Sequence, residues 1–359
     1  MHTRLAREPV VRPTYHVDEA GLARLLEAAE ADEVFAAVRR ERGVEYCNVR
    51  ARPDEALALR EPRPAASPKA FLQPARERVA VYSAEGVDAD RSCPACDRRA
   101  LVGLRACDLA AIAYLDKVFR EGEFKDPFYE ARRDSELLIS VDCVAVHENC
   151  FCSAVGGSPF AEAGFDLNIT PLEEGYLVTV GSEKGQAVLD AAGDAVREAD
   201  LEQQRERDAR RAASVEQLGE QTGGWRVSDR IQEALLSKDE ARVWGEQTAA
   251  CVECAACTFI CPTCHCFFLY DQAGGEEEFE RIRTWDSCVL GDYHRMAGPA
   301  GAKPSPRPGL RTRLANRLLH KYAYSPEQYG MLGCTGCGRC IEACYGGIDI
   351  REVLREIDR

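Results

Sequence analysis

Two short cysteine runs constrain this chain more than anything else in it. The first is CVECAACTFICP, in which Cys251, Cys254, Cys257 and Cys261 follow the spacing C-x2-C-x2-C-x3-C and end on Pro262. The second is CTGCGRCIEACY, in which Cys334, Cys337, Cys340 and Cys344 repeat that spacing. It is the spacing of bacterial ferredoxins that hold 4Fe–4S clusters. Three cysteines separated by two residues fit a tight loop around one face of a cubane, and thiolates are soft ligands for iron. Small neighbours (Ala255, Ala256, Gly336, Gly338) let backbone N–H groups approach the sulfurs, and such hydrogen bonds tune reduction potential.

In proteins with two such runs the fourth cysteine of each ligates the other cluster. The spacing therefore assigns one cluster to Cys251, Cys254, Cys257 and Cys344, and a second to Cys334, Cys337, Cys340 and Cys261. Zinc also takes C-x2-C pairs and is the competing metal. The x3-C step, present in both runs, favours iron–sulfur. The second run carries Tyr345 where the first has Pro262. Proline mainly stiffens the turn, so both sites are expected to form. About seventy residues separate the runs, which implies helices packed around the clusters.

The chain has 359 residues, and eleven of its eighteen cysteines lie from Cys251 onward. The first residues contain no apolar signal segment, and no apolar run approaches the roughly 18 residues of a membrane helix. A cytoplasmic location is expected, where cysteines serve metals more often than disulfides. A net charge of -14 argues against a nucleic-acid partner. The fold expected is α+β and multidomain. Residues 1–181 read as an N-terminal α/β domain, 182–224 as a charged helical linker, and 225–359 as a mainly helical, ferredoxin-like dicluster domain. Residues 17–42 read as helical. RVAVYSAEGV, RALVGLRACD, SELLISVDCVAV and GYLVTVGS read as strands, and DLAAIAYLDKVF as a helix with Cys107 and Asp108 at its start. A further helix is expected over 228–248.

Longer segments carry a resemblance. CVECAACTFICPTCHCF, RTWDSCVLGDY, HKYAYSPEQYGMLGCTGCGRCIEAC and GGIDI, with GLRACDLAAIAYLDKVF, DPFYEARR and ENCFCSAVGGSPFAEAGFDL in the first half, resemble the iron–sulfur beta subunit of cytoplasmic nickel–iron hydrogenases, the sulfhydrogenases. The resemblance runs from about Pro68 to the end. A sister resemblance is to the two-cluster iron–sulfur subunit of anaerobic sulfite reductase. The resemblance implies an electron-transfer subunit with no substrate chemistry of its own. Its partners would be a flavin- and NAD(P)-binding subunit and the small and large subunits of a nickel–iron hydrogenase. An electron-transfer subunit of a sulfite reductase or a heterodisulfide-reductase-like complex is the alternative, and a redox-inactive zinc scaffold the reading from another class. GLRACDLAA is no G-x-G-x-x-G, and no phosphate loop is found.

Cys107, Cys143, Cys150 and Cys152 all lie inside segments that carry the resemblance. They make a candidate third 4Fe–4S site, with buried free thiols as the alternative and Asp108 as a substitute oxygen ligand. Cys93 and Cys96 form a lone C-x2-C, open to a plain loop, a redox dithiol, half a zinc site or a competing ligand pair for the third cluster. Cys264, Cys266 and Cys288 read as packing around the clusters, Cys47 as a core residue, and His265 as a packing histidine before a ligand. His147 and His294 show no partner. RERDARR reads as a solvated helix face.

Overall fold

Largely apolar strands set the largest sheet. The computed structural model describes residues 12–88, 96–237, 242–293, 295, 297–298, 301–302 and 305–359. Its strands are β1 (Thr14–Val17), β2 (Glu33–Arg40), β3 (Gly43–Asn48), β4 (Arg76–Ser83), β5 (Gly86–Asp88), β6 (Arg99–Leu104), β7 (Glu136–Val141), β8 (Leu167–Pro171), β9 (Tyr176–Val180), β10 (Arg197–Glu198), β11 (Phe267–Gly275) and β12 (Glu278–Trp285). The larger sheet has the order β10-β1-β9-β8-β7-β6-β2-β3. Its centre, β2, β6, β7 and β8, is parallel. Every residue of β7 and β8 is buried, as in parallel sheets covered on both faces. Helices α1 (Glu19–Ala28), α2 (Ala106–Phe119), α3 (Pro127–Ser135) and α4 (Glu183–Ala192) supply the cover. Ala100, Val102, Leu137 and Ile139 pack with Leu22 and Leu25 of α1 and Val188 and Leu189 of α4. Leu101, Leu104 and Leu138 face the other way, onto Leu109, Ile112 and Leu115 of α2 and Tyr129 of α3. The two-residue period of the strand makes this division.

Residues 33–40 form β2 rather than continuing the helix expected over 17–42: α1 stops at Ala28, and Val34, Ala36, Ala37 and Val38 are buried between flanking strands. Gly103 (φ +93°) marks a register shift against β7, and a Cβ there would lie 2.7 Å from the Ala37 Cβ. The parallel arrangement has one consequence for function. β6 and β7 end at the same edge of the sheet, so Cys107 and Cys143 emerge side by side. Outside the carboxyl ends of parallel strands is where open α/β sheets hold ligands.

The charged segment after β9 is built into the fold. α4 packs on α1, β10 adds an edge strand beside β1, and α5 (Leu201–Thr222) begins with a capping box of Asp200 and Gln203. Beyond it, α6 (Ile231–Ser237), α7 (Arg242–Ala250), α8 (Ala256–Phe259), α9 (Leu310–Leu319), α10 (Arg339–Glu342) and α11 (Ile350–Asp358) follow. Ile350, Val353, Leu354 and Ile357 place an i, i+3, i+4, i+7 stripe of α11 in one core with Ile231, Leu235, Trp244, Leu318 and Tyr322. Phe151, from the first half of the chain, enters the same core.

Between the two cysteine runs lies a hairpin, β11–β12, that pairs with β4 and β5 into a second sheet of order β11-β12-β4-β5. Arg283 of β12 holds Glu77 of β4 at 2.6 Å, and Trp285 Nε1 donates to Gln73 O at 2.9 Å. The two halves of the sequence are thus joined beside the cysteines. Among the described residues no helix is long and apolar enough to cross a membrane.

Candidate metal centres

The two runs adopt the same local path. In the first, Glu253 (φ +54°) and Ala255 (φ +58°) are left-handed, two and four residues after Cys251; in the second, Gly336 (φ +66°) and Gly338 (φ +72°) are left-handed at the same offsets from Cys334. The turn folds each loop back on its own first cysteine. Glu253 N–H donates to the Cys251 sulfur and Gly336 N–H to that of Cys334. A one-turn helix follows in each case, α8 and α10, and the two pack against each other. That packing crosses the fourth cysteines. The Cys251 thiol has Cys257, Cys344 and Cys254 as its charged neighbours. Cys261, Cys334, Cys337 and Cys340 line one narrow cavity with Arg317, Lys321 and Phe151. Burial pushes the Cys340 thiol up to about 12. Ile348 N–H donates to Cys344 Sγ at 3.3 Å.

Cys107, Cys143, Cys150 and Cys152 line a second cavity with Arg63, Arg105, His147 and Cys337. Cys337 therefore belongs to the walls of both cavities. The loop holding Cys150 and Cys152 lies on the second run: Phe151 N–H donates to Gly336 O at 2.7 Å, and Cys150 Sγ approaches Cys337 O at 3.8 Å. A Cβ at Gly336 would stand 2.5 Å from Cys152 Cα, and one at Gly338 only 2.1 Å from Asn149 O. Helix α5 clamps the loop from outside. Ser214 Oγ donates to Cys143 O at 2.6 Å, and Gln221 Nε2 reaches the carbonyls of His147, Glu148 and Cys150 at 2.8–3.0 Å.

Asp108 does not face this cavity. Its carboxylate is fully buried against Arg339, 2.6 Å from Nη1, and caps α2 at Arg105 N–H. It is committed to an ion pair and is no substitute ligand. Cys96 lies just before β6, at the opposite end of that strand from Cys107, and does not compete for the cavity; Cys93 and His294 lie outside the described residues. Cys264 is hydrogen-bonded to Cys261, and Cys266 to Cys288 and Tyr293, around the first two sets. His265 is half-buried among Tyr114, Phe119 and His320, and desolvation pulls it down to about 4, so it packs as a neutral ring. Cys47 is not in the core but half-exposed on edge strand β3, 3.3 Å from Arg40 Nη2. His147, which showed no partner in the sequence, lines the cavity of Cys107, Cys143, Cys150 and Cys152.

Sequence reasoning missed the buried cations. Arg317 is 6 % exposed and Lys321 is 3 % exposed, on the helical ridge Arg313–Arg317–Lys321. The signal was the spacing of four between basic residues among apolar Leu314, Leu318 and Tyr322, but charged residues read by default as surface. Among the described residues neither Arg317 nor Lys321 has a carboxylate partner. Arg105 is fully buried at the edge of the Cys107 cavity, and its guanidinium donates to the carbonyls of Leu59, Glu61, Val141 and Asp142. Arg317 stands nearest the sulfurs of Cys257 and Cys340, Lys321 nearest Cys261, and Arg105 next to Cys143. A buried cation without a counter-charge costs several kcal/mol. A cluster held by four thiolates is an anion, so each cysteine set has the donors and the compensating charge that such a group requires. Among the described residues no three candidate ligands converge at the distance of a single metal ion; the sulfurs are spread around cavity walls.

Residues 250–348 match the model of a 4Fe–4S dicluster domain, a span that contains both runs. The beta subunit of sulfhydrogenase 2 from Pyrococcus furiosus is 34% identical over 264 residues, covering 72% of this chain and 73% of that protein. The chain belongs to the sulfhydrogenase beta-subunit family. This family member is an iron–sulfur electron-transfer subunit of the hydrogenase type. In it, the dicluster match takes in Cys264, Cys266 and Cys288 but stops short of Cys107, Cys143, Cys150 and Cys152, which come from the α/β region of the same chain. No solved structure matches the chain significantly.

Proposed function

We propose that this beta subunit relays electrons between a flavin- and NAD(P)-binding subunit and the small and large subunits of a nickel–iron hydrogenase, within a cytoplasmic complex. Three 4Fe–4S clusters would be held: one by Cys251, Cys254, Cys257 and Cys344, one by Cys334, Cys337, Cys340 and Cys261, and one by Cys107, Cys143, Cys150 and Cys152. When bound, each cluster supplies a one-electron store. The chain's own part is to ligate, to exclude water and to neutralise charge. Residues 225–359 would serve the first two clusters, and 1–181 the third, with α5 between them as a brace.

The observation that carries this reading is the sharing of Cys337. Cys337 lines the cavities of both the second and the third set, and with α8 packed on α10, Cys344 is a neighbour of Cys251 and Cys261 lines the cavity of Cys334, Cys337 and Cys340. Three donor sets in immediate succession suit a relay and serve no purpose for isolated structural metals. The outer end is the first set: Cys254 is exposed, Val252 is 61 % exposed and Tyr345 is 86 % exposed beside it. Iron and acid-labile sulfide counted on anaerobically purified protein test the number. About twelve of each per chain is expected for three cubanes. About eight would remove the third cluster, and stoichiometric zinc with no iron would overturn the relay.

A further inference from the structure

Lys321 is singled out by what surrounds it. It lies in one widened helical turn, His320–Tyr324, that follows α9. Such π turns insert a residue and re-aim side chains, often at functional positions. Its ammonium has three donors, and all three are used: Cys261 Sγ at 3.2 Å, Thr263 Oγ1 at 3.1 Å and Gly333 O at 2.8 Å. Thr263 is itself fixed, donating to Gly333 O at 2.7 Å. The side chain is thus locked onto one sulfur of the second set.

Its neighbours along the same ridge differ. Arg313, eight residues earlier, pairs with Glu253 of the first run, so its charge is cancelled locally. Arg317 stands between the first two sets and is shared by both. Of the three ridge cations, Lys321 is the one whose charged group is hydrogen-bonded to a cysteine sulfur with no carboxylate beside it among the described residues.

We infer that Lys321 is a tuning residue that raises the reduction potential at the Cys334–Cys337–Cys340–Cys261 site above what the same four thiolates would give alone. The inference rests on the cluster reading above. The physical reason is that one added electron is stabilised by a fixed cation hydrogen-bonded to a ligand sulfur in a dry site.

The test is a potentiometric titration of the complete chain, followed by electron paramagnetic resonance, with iron counted beforehand. In Lys321→Met one cluster signal is expected to move to lower potential by at least tenfold in its oxidised-to-reduced ratio, about 59 mV for one electron, while the others stay. Lys321→Gln, which keeps a donor without the charge, is expected to shift the same signal the same way with its iron intact. Unmoved potentials in iron-replete Lys321→Met would overturn the role. So would loss of the same iron in both variants, which would make Lys321 an assembly residue. Wild-type protein without iron would instead sink the cluster reading, and this inference with it.

Discussion

The first and second cysteine loops follow one backbone path with different residues, and the difference shows what each loop is for. The second loop has glycine at both left-handed positions, because the Asn149–Cys152 segment lies directly on it and a Cβ would meet Asn149 O or Cys152 Cα. The first loop has Glu253 and Ala255 at those positions, although each such residue costs about 1–2 kcal/mol relative to glycine. Cys254 is open to solvent and Glu253 turns its carboxylate to Arg313. One loop is built to be covered and the other to be reached.

The largest effect that could break this contrast is at Gly338. Gly338→Ala combines a left-handed Cβ with a collision at 2.1 Å, and is expected to cost about 3 kcal/mol or more in denaturant unfolding. The matching change in the first loop, Ala255→Gly, is expected to leave stability within about 1 kcal/mol, since relief of strain is offset by glycine's greater freedom when unfolded. Equal costs at the two positions would remove the distinction between a covered and an open loop. A smaller effect sharpens it. Tyr345 is 86 % exposed, so Tyr345→Ala is expected to change stability by less than about 0.5 kcal/mol and leave iron content unchanged. A loss of iron there would show that the tyrosine does the stiffening that Pro262 does in the first run.

The cluster-binding loops were the most legible part of the sequence because ligand spacing is local. Strands β6, β7 and β9 were nearly as plain, since they are largely buried and read as mainly apolar runs, whereas β8 was missed because Asn168 and Thr170 interrupt it. Residues 33–40 were misread because Ala36, Ala37 and Arg39 suit a helix as well as a strand, and only pairing with β6 decides between them. The β11–β12 hairpin was illegible for a different reason. Phe267, Phe268, Leu269 and Phe279 are exposed, so no alternating pattern survives, and its partner β4 lies about 200 residues earlier. The buried cations were hidden by the assumption that arginine and lysine belong at the surface; around anionic sites that assumption reverses. Asp108 failed as a ligand because its partner, Arg339, is far away in sequence.

The crossing of the fourth cysteines is the central claim, and one comparison tests it most directly: electron paramagnetic resonance and iron content of Cys344→Ser beside Cys251→Ser, and of Cys261→Ser beside Cys334→Ser. Cys344→Ser is expected to alter the same signal as Cys251→Ser, and Cys261→Ser the same signal as Cys334→Ser. If Cys344→Ser instead perturbs the signal lost in Cys334→Ser, each run closes on its own cluster, and the packing of α8 on α10 does not join the two sites.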